Sequence, residues 1–267
     1  MSESVSGSRL EATGMTKRFG GLTAVDDISI VAEPGQVTAL IGPNGAGKTT
    51  LFQCLTGSER PDAGVVRLAG RDITRLNPDA RARLGLGRTF QRLAVFPSMS
   101  VADNLRVGAE NRPRLGGFLR VAALLIGMLG FPIDDDKANG RRVDEVLDLL
   151  GLGHLRDAPA GSLSTGTLRL VELSRALCND PKVLLLDEPA SGLDTSETQE
   201  LQTVLRTIAA DGIAVLLVEH DVHLVFDVAD AVYAMAEGRL LTSGSPDDVR
   251  RHPAVLAAYL DVGGAVS

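Results

Sequence analysis

The sequence lacks the features that define several broad protein classes. It has two cysteines in 267 residues, Cys54 and Cys178, each inside an apolar helical pattern and in no metal-ligand spacing. That excludes a disulfide scaffold, and both thiols are expected as small buried side chains in a reducing compartment. Basic charge is in deficit: 27 Lys and Arg against 34 Asp and Glu leave a net charge of -7. A general nucleic-acid binder would carry a basic surplus, so no nucleic-acid partner is expected. The opening "MSESVSGSRL" has no apolar h-region, so no signal peptide is expected, and 1–9 and 261–267 read as tails. Internal repeats, low-complexity tracts and sustained heptads are missing too. The longest apolar stretch is "GGFLRVAALLIGMLGFPI", Gly116–Ile133, with Arg120 inside it. Its unbroken part is about twelve residues, whereas a spanning helix needs about twenty. It reads either as a buried subdomain helix or as a surface that meets a membrane or a membrane-embedded partner.

What is present is a substantial core, with 44% hydrophobic residues. Strand-type segments open the chain at Leu10–Met15 and Asp27–Ala32, separated by "KRFGGLTAV", which reads as a turn-rich link. "EPGQ" (Glu33–Gln36) is a tight turn before "VTALI" (Val37–Ile41), a continuously apolar buried strand. A glycine-rich loop and a helix from about Lys48 to Thr56 follow. From about Met99 to Leu177 the pattern is helical. Strands resume with "VLLLDEP" and "AVLLVEHD", on either side of a polar helix, Thr195–Ala210. "AVYAMAEGRLLTSG" reads as a hairpin turning at Glu237–Gly238, and a short helical region ends the chain. The alternation implies an α/β fold with a mainly parallel sheet and a helical insertion at about 92–177.

"GPNGAGKT" (Gly42, Pro43, Asn44, Gly45, Ala46, Gly47, Lys48, Thr49) matches G-x-x-x-x-G-K-[ST] between an apolar strand and a helix. The glycines let backbone N–H groups turn inward around phosphate oxygens, and the helix N-terminus adds a favourable dipole. Lys48 can reach the β and γ phosphates, the Thr49 hydroxyl can ligate Mg²⁺, and Thr50 is expected among the nucleotide-binding residues. In "VLLLDEP", four apolar residues fill a central strand and Asp187 emerges at its C-terminal end, where open α/β sheets bind ligands. Asp187 would hold Mg²⁺, and Glu188 beside it is placed to act as general base on a water.

With these motifs in order, the chain resembles the nucleotide-binding subunits of ATP-binding cassette (ABC) transporters over about Leu10 to Leu260. The resemblance implies a P-loop NTPase core and antiparallel β subdomain formed by 10–91 and 178–260, with a helical subdomain at about 92–177. It implies ATP and Mg²⁺ as ligands and ATP hydrolysis as the activity. It places Phe19 on the adenine and assigns Gln91 of "RTFQ" to Mg²⁺ and to the face toward the membrane subunit. "SGLD", ending at Asp194, becomes the loop that crosses a dimer interface, and His220 of "VEHD" the contact to γ-phosphate. A second ATPase subunit, integral-membrane permease subunits and a substrate-binding protein follow as partners, at the cytoplasmic face of a membrane. "RTFQRLAVFPSMSVADNL", the long insertion before Ala138 and "HPAVLAAYLDV" are similar to the branched-chain amino acid importer ATPases, a pattern shared by importers of urea or other amides. A lipid or lipopolysaccharide exporter ATPase and a soluble non-transport cassette protein are the alternatives.

One motif departs from the family. Where it has "LSGGQ", this chain reads Leu163, Ser164, Thr165, Gly166, Thr167. Ser164 can still donate to a γ-phosphate, and Gly166 still lets backbone approach at a helix expected to begin near Leu168. Thr165 is tolerable if its φ is negative or its side chain points away. Thr167 keeps a short hydroxyl in place of a long amide, and Glu172 is expected on a solvated or pairing face. The motif is therefore expected to work, across a dimer.

Overall fold

The computed structural model describes residues 9–89, 94–110 and 135–263. These residues form two compact units, one of 9–82, 86–89 and 182–263, the other of 83–85, 94–110 and 135–181.

The first unit holds two sheets. The six-stranded sheet has the order β10-β9-β3-β8-β7-β6, from β3 (Val37–Ile41), β6 (Leu86–Arg88), β7 (Val183–Asp187), β8 (Ala214–Val218), β9 (Ala231–Ala236) and β10 (Arg239–Gly244). Its pairings are parallel except for the β9–β10 hairpin, which turns at Glu237–Gly238, both at positive φ. Every residue of β3, β7 and β8 is buried, as continuous apolar runs require in a sheet covered on both faces. The four-stranded antiparallel sheet has the order β2-β1-β4-β5, from β1 (Leu10–Phe19), β2 (Leu22–Ala32), β4 (Ala63–Leu68) and β5 (Arg71–Asp72). The expected link "KRFGGLTAV" is thus mostly strand: β1 and β2 run on until Phe19 pairs with Leu22 around Gly20–Gly21. Half-exposed strands accept Lys17 and Arg18, so the polar residues that suggested a loop are one outward face and the end of a hairpin.

Helix α1 (Lys48–Thr56) follows β3, and α2 (Pro78–Arg83) precedes β6. Arg81 ties these segments together. Its buried guanidinium donates to the carbonyls of Cys54 and Leu55 in the last turn of α1, and to those of Thr74 and Leu76. It thereby satisfies carbonyls that a helix end leaves unpaired. Burial pulls its pKa down to about 10. Both cysteines are buried, as expected, and burial pushes the Cys54 thiol up to about 11.

The second unit is helical: α3 (Val101–Glu110), α4 (Asp135–Leu149) and α5 (Thr165–Leu177). Val101, Leu105, Val143, Val146, Val171 and Leu177 are fully buried in its core. Asn104, also fully buried, accepts from the Phe96 N–H and donates to the Phe96 and Ser100 carbonyls, fixing the turn before α3. Helix α5 starts at Thr165, not near Leu168, because Ser164 supplies its N-cap and the backbone needs no apolar residue to turn helical. Glu172 is 3% exposed with Arg169 3.9 Å away, so it lies on a pairing face and not a solvated one. In the first unit, α6 (Thr195–Ala210) joins β7 to β8, and α7 (Val222–Val228), α8 (Pro246–Arg251) and α9 (Pro253–Gly263) complete the chain.

Candidate functional site

The sheet order places β8 between β3 and β7, so the loop after β3, the acids after β7 and Glu219–His220 after β8 emerge at one edge. Gly42–Gly47 leave β3 and turn into α1. Gly47 has φ 96, and a Cβ there would sit 2.2 Å from the Ala24 carbonyl oxygen, so only glycine fits. No side chain caps α1. Its first N–H groups face a cavity of about 550 Å³ lined by Phe19, Leu22, Asn44 to Thr50, Glu188 and Glu237, among others. The cavity therefore collects Phe19, Asn44, Gly45, Ala46, Gly47, Lys48, Thr49, Thr50 and Glu188 of the expected residues; Gly42 and Pro43 lie just before it in the loop. Phe19 is 46% exposed, with the Lys17 ammonium 5.0 Å from its ring centroid. An exposed ring beside a polar cavity suits a flat heterocycle.

The charges converge on Lys48. Its buried ammonium donates to the carbonyls of Gly42 at 2.6 Å and Pro43 at 3.1 Å. Burial lowers its pKa, against the pull of Glu188, Asp187 and Glu219. Asp187, 5% exposed, is pushed up to about 6 by burial and then by Glu188 and Glu219, with Lys48 opposing. Its Oδ1 is buried and has no hydrogen-bond partner. Glu188 sits at φ 49, a left-handed conformation that non-glycine residues rarely adopt and that accumulates at functional sites. That backbone is held by its N–H donating to the Val218 carbonyl at 2.8 Å and its carbonyl accepting from the Ser191 N–H at 3.1 Å. His220 is 56% exposed, its Nδ1 3.8 Å from Glu188 Oε1.

Asp194 has a second role that sequence reasoning passed over, although Asp194-Thr195-Ser196-Glu197 before a helix is the capping-box pattern. It is the N-cap of α6, in a capping box: Asp194 Oδ1 accepts from the Glu197 N–H at 2.9 Å, and Glu197 Oε2 accepts from the Asp194 N–H at 3.1 Å. The Glu197 N–H holds the Asp194 carboxyl below its usual range. In the helical unit, Ser164 Oγ accepts from the Thr167 N–H at 3.2 Å and lies 3.0 Å from the Thr167 hydroxyl. Thr165 and Gly166 form the first turn of α5, where Thr165 has negative φ, meeting the condition for replacing a glycine. Gln91 and Gly116–Ile133 lie outside the described residues. Sequence reasoning passed over Glu219, which is fully buried and bonded to both Ala190 and His220. The signal was there: a carboxylate that directly follows five apolar strand residues needs buried partners.

A glycine-rich loop after the inner strand β3, with a buried lysine facing two carboxylates, has the form of a nucleotide-hydrolase site. Relatives in sequence and structure make the family definite. The sequence pattern described as "ABC transporter" matches residues 25–191, and that of the "branched-chain amino acid ATP-binding cassette transporter" matches 239–260. The chain is 38% identical over 252 residues to the high-affinity branched-chain amino acid transport ATP-binding protein BraF of Pseudomonas aeruginosa, covering 94% of this chain and 97% of that one. It is 36% identical over 255 residues to the corresponding LivG protein of Escherichia coli, with the same coverage. It is 37% identical over 251 residues to the lipopolysaccharide export system ATP-binding protein LptB of Acidithiobacillus ferridurans, covering 94% and 96%. Among solved structures, the ADP conformation of MJ1267, an ATP-binding cassette of an ABC transporter, superposes with a TM-score of 0.81 at 31% identity, covering 95% of this chain and 98% of that one. The chain belongs to the ATP-binding subunits of ABC transporters, the ATPases that couple ATP hydrolysis to transport. No helix among the described residues is long and apolar enough to cross a membrane.

Proposed function

We propose that this chain hydrolyses Mg·ATP at the α1 cavity and drives uptake of branched-chain amino acids through separate membrane subunits. The observation that carries the chemistry is the convergence of Lys48, Asp187 and Glu188 on the uncapped N-terminus of α1. The adenine lies against Phe19, and the phosphates take the N–H groups of Gly45 to Thr50 and the Lys48 ammonium, which exchanges its two loop carbonyls for phosphate oxygens. The orphaned Asp187 Oδ1 and the Thr49 hydroxyl are hard oxygen donors that fit Mg²⁺. The ion, when bound, neutralises charge on the phosphate oxygens. Glu188 takes a proton from a water as the water oxygen attacks the γ-phosphorus. The bond from that phosphorus to the β–γ bridging oxygen breaks, and ADP and phosphate form. His220 steadies the γ-phosphate. Ser164 and Gly166 present the signature to the nucleotide of a second copy or a similar subunit, and Asp194 shapes the loop between them. ATP favours the closed pair because it touches both faces.

Support for the transported class is the match over 239–260 together with the names of BraF and LivG. A substrate-binding protein, permease subunits and a place at the membrane's inner face belong to the same proposal. Glu188→Gln should retain ATP binding and lose turnover by about 10²–10⁴-fold; near-normal steady-state turnover would remove Glu188 from the role. Uptake of labelled leucine in vesicles that contain the full transporter should require ATP and stop with this variant. Lipid export without amino acid uptake would replace the importer reading.

A further inference from the structure

The carboxylate of Glu219 reaches neither the cavity nor solvent, yet it holds two pieces of the site at once. Its side chain is fully buried at the end of β8. Oε1 accepts from the Ala190 N–H at 2.9 Å and Oε2 from the His220 N–H at 3.1 Å. Ala190 is two residues after Glu188, and its segment is also anchored by the Glu188 N–H on the Val218 carbonyl of the same strand. The His220 ring has its Nδ1 3.7 Å from Glu219 Oε2 and 3.8 Å from Glu188 Oε1. A buried carboxylate is costly, and an apolar side chain of like size would avoid that cost. Only a carboxylate, however, offers an acceptor to each of two N–H groups from separate loops. A glutamine in the same place accepts one and turns an N–H₂ donor toward the other.

We infer that Glu219 is a positioning residue: it sets the distance and direction between Glu188 and His220 by fixing the backbone beside each. The inference rests on the proposed roles of those two side chains. It places the effect in the chemical step, since Glu219 lines neither the phosphate loop nor the adenine face of the cavity.

The test is steady-state kinetics of wild type, Glu219→Gln, His220→Ala and the double variant, with ATP affinity by calorimetry and melting temperature for each. Loss of one charge-assisted hydrogen bond should lower kcat about tenfold and leave ATP affinity within about twofold. Adding Glu219→Gln to His220→Ala should cost less than the tenfold it costs alone, because part of the effect passes through His220. Unchanged kcat in Glu219→Gln, or a fall in ATP affinity that matches the fall in kcat, would overturn it. So would losses that multiply fully in the double variant. Normal turnover in Glu188→Gln would overturn the base assignment and this inference with it, whereas an inactive Glu188→Gln beside a fully active Glu219→Gln removes the inference alone. If Glu219→Gln does not fold, amide exchange of the wild type decides. The Ala190 and His220 N–H groups should be protected together, and free exchange of either would contradict the bridge.

Discussion

Helices α1 and α5 both begin next to a signature glycine, and their N-termini are finished in opposite ways. Helix α1 starts from left-handed Gly47 with no side-chain cap. Helix α5 starts from Ser164, whose Oγ takes the Thr167 N–H and lies 3.0 Å from the Thr167 hydroxyl. The first end leaves its N–H groups to a ligand, and the second satisfies one of them itself. A phosphate reaching α5 must draw the Ser164 hydroxyl into a donating role, a small adjustment because a hydroxyl both accepts and donates. The changes from the family's usual signature fall where this internal cap absorbs them. Thr165 occupies an ordinary helical position, and Thr167 supplies both the capped N–H and a second hydroxyl.

The contrast can be broken most completely at the open end. Gly47→Ala puts a Cβ 2.2 Å from the Ala24 carbonyl oxygen and forces alanine to φ 96. ATP affinity by calorimetry should fall at least about 100-fold, an energy that one backbone clash in a fixed loop readily exceeds. Retained affinity would show that the loop relaxes and that the open end is not rigid.

A second effect concerns the charge gathered beside α1. The Asp187 carboxyl rises from its ordinary 3.8 to about 6 in the fold, chiefly through burial. The unfolded chain therefore releases this proton first. Asp187 contributes stability below about pH 4 and loses it as pH climbs to about 6. Relative to wild type, nucleotide-free Asp187→Asn should gain stability across that window, by at most about 3 kcal/mol, in denaturant titrations at pH 4 and pH 7 with a chelator present. No pH-dependent difference between the two proteins would mean that Asp187 is better compensated than its orphaned oxygen indicates.

The smallest effect belongs to the closed end. Ser164→Ala should cost about 1 kcal/mol of stability through loss of the cap and leave nucleotide binding by the isolated subunit unchanged. A nucleotide-affinity change in a dilute monomer would erase the distinction between the two helices.

How much of this was legible in the sequence follows from the kind of signal each part carries. β3, β7 and β8 were readable because full burial leaves a continuous apolar run. Helix α1 was readable because the phosphate motif fixes its first residue. The β1–β2 hairpin was not, since Lys17, Arg18 and two glycines interrupt the alternation at its end. Strands β5 and β6 were missed because a two- or three-residue strand leaves no period to detect, and the six-residue β4 because Gly64 and the adjacent Val65–Val66 pair break its alternation. The start of α5 was misplaced by three residues because the apolar pattern begins at Leu168, whereas capping begins at Ser164. The loop residues that line the cavity were visible as a motif. Glu219 was visible only as a carboxylate after an apolar strand and Arg81 not at all, because the Ala190, Cys54 and Leu55 backbone groups they bind are distant in the chain.

In the proposed mechanism the open end of α1 serves its own chain's nucleotide while the capped end of α5 serves another's. Mixing Ser164→Arg with Lys48→Ala subunits tests it most directly. Each variant alone should show little ATP-dependent dimerisation and little turnover. Their heterodimer retains one composite site, with an intact phosphate loop facing an intact signature, so the mixture should recover turnover well above either parent. A mixture no better than its parents, or full activity of Ser164→Arg at a dilution where no dimer forms, would contradict the claim.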